Sequence, residues 1–155
     1  MFSSQFWMLC SSTVLFMASF GMVMPELPGY LAMLGRSDLI GWIVGLFAVG
    51  AFFSRFVSGR IADNAGRRPV MLFGTWITTI AGLGYIGVGW IHGSDFLPWK
   101  GVPLAIWFFL FLRLFHGMST GFRPTGTTAF LTDITPIKRR GEALGYLGVA
   151  GNAGM

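Results

Sequence analysis

The sequence predicts an all-α integral membrane protein with four complete transmembrane helices and the start of a fifth. Three observations carry that expectation. Apolar residues make up 54% of the chain and charged residues 11%, where soluble domains hold about 25% charge. The apolar residues gather into runs of about twenty, the length that crosses a hydrocarbon layer about 30 Å thick. Basic residues concentrate in two short stretches between those runs, Arg60–Arg68 and Lys138–Arg140. A soluble domain of this size could not hide so much Phe, Trp, Met and Gly. The net charge of +5 follows membrane orientation rather than nucleic-acid binding, because no basic patch is interleaved with aromatics. No internal disulfide can form from Cys10 alone, and the isolated His92 and His116 give no metal-ligand spacing.

The helices are expected near residues 5–24, 39–58, 69–91, 103–132 and, incomplete, 142–155. Met1 to Pro25 carries no charge and has neither the basic start nor the small-residue cleavage site of a signal peptide, so it reads as an uncleaved first helix. Gln5, Ser11, Ser12, Thr13 and Ser19 make that helix polar for a span. They serve either helix–helix hydrogen bonds or the lining of an aqueous cavity. Pro25-Glu26-Leu27-Pro28-Gly29 then stops it.

In the second span, Gly41 and Gly45 form a small-xxx-small pair suited to close packing. Arg55, one turn before Gly59, can snorkel toward headgroups. The third span leads to an outer loop with Trp90, His92, Asp95, Pro98, Trp99 and Lys100, residues of an interfacial belt. The fourth span begins near Pro103 and ends at Asp133-Ile134-Thr135-Pro136. Lys138-Arg139-Arg140 form a second basic loop, and Glu142 to Met155 opens the fifth span. Six basic residues (Arg60, Arg67, Arg68, Lys138, Arg139, Arg140) lie in one set of loops and two (Arg36, Lys100) in the other, which predicts a cytoplasmic N-terminus.

Gly59 to Arg68 reads as a ten-residue connector between the second and third spans. Bare loop backbone cannot lie in lipid, so the connector sits in water. Gly59, Asp63, Gly66, Arg67 and Arg68 resemble in full the G-x-x-x-D-x-x-G-R-R/K pattern of the major facilitator superfamily. That pattern occurs there between the second and third helices. Asp63 and Arg67 stand four apart, the spacing at which helical side chains meet. The resemblance implies a charge cluster with Asp133 that latches the cytoplasmic side. The alternative is a set of solvated charges that only fixes topology.

Arg113, near mid-membrane in the fourth span, is a functional-site candidate because an intramembrane charge is costly. With Gly117 it resembles the R-x-x-x-G signature of proton-coupled facilitators, which implies a role in proton coupling or substrate handling. Otherwise Arg113 pairs with backbone carbonyls and stabilises the bundle. His116 reads as a hydrogen-bonding spacer more than a proton relay. Arg123 departs from the family pattern and reads as snorkelling to the inner interface, with an anion-facing cavity as the alternative. The acid at Asp133, then Pro136 and Arg140-Gly141, continues the resemblance.

Two other matches carry no chemistry. Gly117-Met118-Ser119-Thr120-Gly121 fits the hydrolase elbow G-x-S-x-G, which needs a strand–turn–helix. Gly82 to Gly87 fits G-x-G-x-x-G, which needs a preceding strand and a ribose-binding acid. Both lie inside membrane helices, where glycines serve packing.

The resemblance covers essentially the whole chain. It implies the N-terminal part of a twelve-helix facilitator of drug or metabolite:proton antiporter type, in a cytoplasmic membrane, working by alternating access. Pro25-Glu26-Leu27-Pro28 and Arg55 favour that subgroup. The implied partners are a small-molecule substrate, protons, the bilayer and a C-terminal half. No nucleic acid, enzymatic activity or cofactor is expected, a proton gradient being the energy source. A sugar or organic-acid symporter of the same superfamily is the nearer alternative, and a non-transporting membrane subunit or scaffold the more distant one.

Overall fold

The computed structural model describes residues 2–33, 35–91 and 104–155. These form six α-helices and two single 3-10 turns, with no strand among the described residues. Helix α1 (Ser4–Val23) starts where the Ser3 hydroxyl accepts from the Phe6 amide, satisfying one orphan donor of the first turn. Helix α2 (Glu26–Met33) follows after two residues, so Pro25–Gly29 bends the first span instead of ending it in a loop. The reason is positional. Pro28 falls in the first turn of α2, where its missing N–H costs no helical bond, and Glu26 complements the positive end of the helix.

Helix α3 (Ile40–Ala65) and helix α4 (Arg67–Ile91) are separated by Gly66 alone. The expected ten-residue connector is therefore almost entirely helical. A helix satisfies its own backbone, so α3 can run on through Gly59, Arg60 and Asp63 into the polar zone without unwinding. The turn is concentrated at Gly66, whose φ of 95° and ψ of 169° suit only glycine. Helix α5 (Leu104–Ile134) has 31 residues, about 46 Å of rise, with Pro124 inside it. Pro136 caps a 3-10 turn (Ile137–Arg139) that leads into helix α6 (Arg140–Ala153), so the second basic loop is also a tight turn. Four segments are long and apolar enough to cross a membrane: 4–33, 37–65, 67–88 and 104–134. His92, Asp95, Pro98, Trp99, Lys100 and the start expected at Pro103 lie outside the described residues.

Helix α5 is the centre of the bundle, with α3 on one flank and α4 on the other, while α1 packs against α6. Lipid offers no hydrophobic driving force between helices, so close backbone approach does the work. A methyl on Gly117 would strike the Phe47 backbone, one on Gly50 would strike the Leu114 carbonyl, and one on Gly121 would strike Ser54. Ser58 adds a buried hydrogen bond across the same seam, donating to the Gly121 carbonyl at 3.0 Å. Gly41 and Gly45, expected to form a packing pair, face open space, and the seam lies instead on the face of Gly50, Ser54 and Ser58. Of the G-x-G-x-x-G glycines, Gly84 meets Leu112, whereas Gly82 and Gly87 meet nothing. Phe52, Phe53 and Phe56 on α3 and Trp76 and Leu83 on α4 stay exposed, apolar faces suited to lipid or to further helices.

Candidate functional site: two buried arginines and a charge cluster

Arg113 is completely buried nine residues into α5, about 14 Å from its start. Its Nε donates to the Ile43 carbonyl at 3.3 Å, and one Nη lies 3.3 Å from the Met24 sulfur. The guanidinium carbon sits 4.6 Å from the centre of the Phe47 ring, a cation–π placement. Its other Nη has no hydrogen-bond partner. Arg113 pairs with no carboxylate among the described residues. The guanidinium thus rests on a carbonyl, a thioether and a ring, with the Tyr85 hydroxyl beside it. The Ile43 carbonyl contact is the one a bundle-stabilising arginine would make, and the unpartnered Nη is the feature that a role in coupling or substrate handling would use.

His116 lies one turn along, also buried. Its Nδ1 is 3.4 Å from the Tyr85 hydroxyl, and its ring stands edge-on to Phe20 and Phe47. Its Nε2 has no partner. The Phe47 ring thus touches both Arg113 and His116, and Gly117 provides the thin spot that lets α3 approach. Sequence reasoning missed Phe47, Tyr85 and Met24. A Tyr among the glycines of α4 was the available signal for Tyr85, whereas Phe47 and Met24 look like any apolar span residue.

Arg123 does not snorkel. It stands eleven residues from the end of α5, about 16 Å inside, and is 7% exposed. Ten residues at 100° each turn it roughly 80° away from Arg113 around the helix. Its Nε donates to the Thr75 hydroxyl on α4 at 3.0 Å, an Nη donates to the Ser12 carbonyl on α1 at 2.9 Å, and its guanidinium lies 4.3 Å from the Phe16 ring centre. Snorkelling fails because Gly74 lets α4 approach so closely that the side chain is enclosed. Ser12 and Ser19 of α1 line a cavity of about 460 Å³ with Thr75, Thr78, Thr79 and Arg123. The hydroxyls of Ser12 and Ser19 bond to carbonyls of their own helix and make no helix–helix bond, while Gln5 and Ser11 lie exposed.

At the basic end, the structure brings Asp63, Arg67 and Asp133 together. Arg67 Nε donates to Asp133 Oδ2 at 2.9 Å. Its Nη1 lies 3.3 Å from Asp63 Oδ1 and 2.5 Å from the Ala62 carbonyl. Asp63 and Asp133 both sit in the last turn of a helix, the negative end of the dipole, where an acid is disfavoured. One guanidinium offsets both ends at once. Gly66 makes this possible by turning the chain so that Arg67 faces back toward α3. Arg68 leans over the Phe130 ring at 5.8 Å and takes no part in the cluster. Gly59 faces open space. At the neighbouring turn, Arg139 pairs with Glu142 at 2.9 Å and covers the Phe2 ring, so the start of α1 lies at this end too.

Four apolar spans built around a buried arginine, with basic turns gathered at one end, define a multi-pass α-helical membrane protein. The chain belongs to the Major Facilitator Superfamily, whose family model matches residues 9–155. Among curated relatives, Multidrug resistance protein 2 of Bacillus subtilis is 26% identical over 151 residues, covering 97% of this chain and 34% of the relative. Multidrug resistance protein 1 of the same organism is 32% identical over 136 residues, 87% of this chain and 31% of the relative. Quinolone resistance protein NorA of Staphylococcus aureus is 27% identical over 155 residues, 99% and 36% respectively. The chain thus spans about a third of the length of the curated relatives it matches.

Proposed function

We propose that this chain supplies the first helices of a proton-coupled efflux transporter that moves a drug-like or metabolite molecule out across the cytoplasmic membrane by alternating access. The single observation that carries the reading is Arg113: wholly buried, without a carboxylate partner among the described residues, and with one Nη unpartnered, one turn from His116. A fixed positive charge in that setting responds strongly to protonation changes or charged cargo nearby, because the local dielectric is low. The names of the resistance-protein relatives support efflux as the direction. The basic end, with Asp63, Arg67, Arg68 and Asp133, is assigned to the cytoplasm by charge asymmetry. The Arg67 cluster serves as a gate latch, and the helices beyond this chain form the second half against which it rocks.

The test is proton movement in proteoliposomes of the full-length transporter. Adding ethidium on the side from which it is taken up should drive protons in the opposite direction, and collapsing the pH gradient should stop accumulation. Proton and dye moving the same way would mean symport. Dye flux without proton movement would remove the coupling, and no flux of ethidium or of a carboxylate-bearing dye would favour a scaffold.

A further inference from the structure

Arg123 and Thr127 stand out because the proposed gate and coupling site use neither. They are four apart on α5 and therefore neighbours on one helix face. Both are more than nine-tenths buried. The Thr127 hydroxyl has no hydrogen-bond partner. Both residues line a cavity of about 320 Å³ between α1, α5 and α6, with Thr13 and Asn152 on its other walls. Arg123 also forms part of the wall of the 460 Å³ hydroxyl-lined cavity between α1 and α4. Neither cavity wall contains an Asp or Glu, and Arg123 pairs with no acid among the described residues. Among the described residues the Arg123 guanidinium is held by a carbonyl, a hydroxyl and the Phe16 face, all neutral.

We propose that Arg123 and Thr127 form an anion subsite that receives the carboxylate of an amphiphilic substrate. The inference rests on the transporter reading above and narrows it to a substrate class. A guanidinium binds a carboxylate by charge-assisted hydrogen bonds. The unspent Thr127 hydroxyl supplies a further donor at one helical turn. Phe16, Met17, Leu144 and Leu147 form the apolar part of the same cavity, where a hydrophobic body would sit. The two arginines of α5 then divide the work: Arg113 faces Ile43 and Phe47 of α3, and Arg123 faces the cavities.

The test uses rhodamine B and its ethyl ester, which share the xanthylium body and differ in whether the benzoate carboxyl is free or ethylated. Equilibrium binding to the purified full-length transporter is read by fluorescence polarisation, with no gradient applied. Wild type should bind the acid on the order of tenfold more tightly than the ester. Arg123→Gln and Thr127→Val should each lower the affinity for the acid relative to the ester, and Arg123→Lys should keep most of the preference. Three results would overturn the subsite: wild type favouring the ester or failing to bind the acid, equal loss of both dyes in Thr127→Val, or an undiminished preference in Arg123→Gln. If Arg123→Gln does not fold, Thr127→Val and the wild-type preference still decide. Ester transport that persists while the acid preference is missing would sink the subsite and leave the transporter reading standing.

Discussion

Arg67 donates to Asp133 at 2.9 Å, tying the first residue of α4 to the last turn of α5 across 66 residues of sequence. The same side chain holds Asp63 and the Ala62 carbonyl at the end of α3, so three helix ends meet on one guanidinium. The carboxylates are largely exposed, at 77% for Asp63 and 53% for Asp133. Such pairs contribute about 0–1 kcal/mol each. Breaking them should shift the balance between conformations and not unfold the bundle. In the full-length transporter, Asp63→Asn and Arg67→Ala are expected to raise thiol accessibility at the basic end and slow turnover, with membrane insertion unchanged. Normal turnover and unaltered accessibility in both variants would leave these residues as topology signals only.

Arg113→Ala should abolish gradient-driven transport while the protein still inserts and purifies. Arg113→Lys should recover only part of it, since a point charge cannot reproduce the fork that spans Ile43, Met24 and the Phe47 face. Transport assays beside a size-exclusion profile separate the two effects. Wild-type accumulation in Arg113→Ala would make the residue a packing element.

Gly117→Ala and Gly50→Ala should each destabilise the α3–α5 seam, because the added methyl meets backbone and not a flexible side chain. Overpacking of this kind costs about 1–3 kcal/mol. Gly41→Ala and Gly45→Ala, which add a methyl in open space, should be neutral. Thermal unfolding in detergent tests the contrast, and equal effects in all four would refute the seam.

Single cysteines at Asn64, Ile137 and Ser94, in a Cys10→Ser background, should label from opposite sides of the membrane. The first two are expected to react from the cytoplasm and Ser94 from outside. One-sided labelling of all three would overturn the orientation.

The span count and type were legible because length and hydropathy are set by the bilayer itself. The residues of the charge cluster were legible through the resemblance of the motif, whereas the helical spacing of Asp63 and Arg67 named the right pair for the wrong reason: Gly66 breaks the helix between them, and its turn brings Arg67 back to Asp63. The conformation of their surroundings was not legible. Polar residues such as Arg60 and Asn64 look like loop in composition, yet a helix leaving the membrane keeps its hydrogen bonds and has no reason to stop. The choice of packing glycines was equally hidden: Gly41, Gly45 and Gly50 share one helix, and only the position of α5 selects Gly50. Arg123 was misplaced for a related reason. Snorkelling is the expectation for a lone arginine, and the close approach of α4 through Gly74 that encloses it is a tertiary fact.

The link at Gly66 has mechanical weight. Two rods joined by a single residue cannot slide past each other or change their spacing at that end, although the joint itself leaves their angle free. Because both clasp α5 along their length, the three helices behave as one lever. The compliant joint must then be sought at the other end, where α1 breaks at Met24 and Pro25 before α2, and Met24 is the residue whose sulfur meets Arg113. Motion at that joint would move a partner of the buried charge directly.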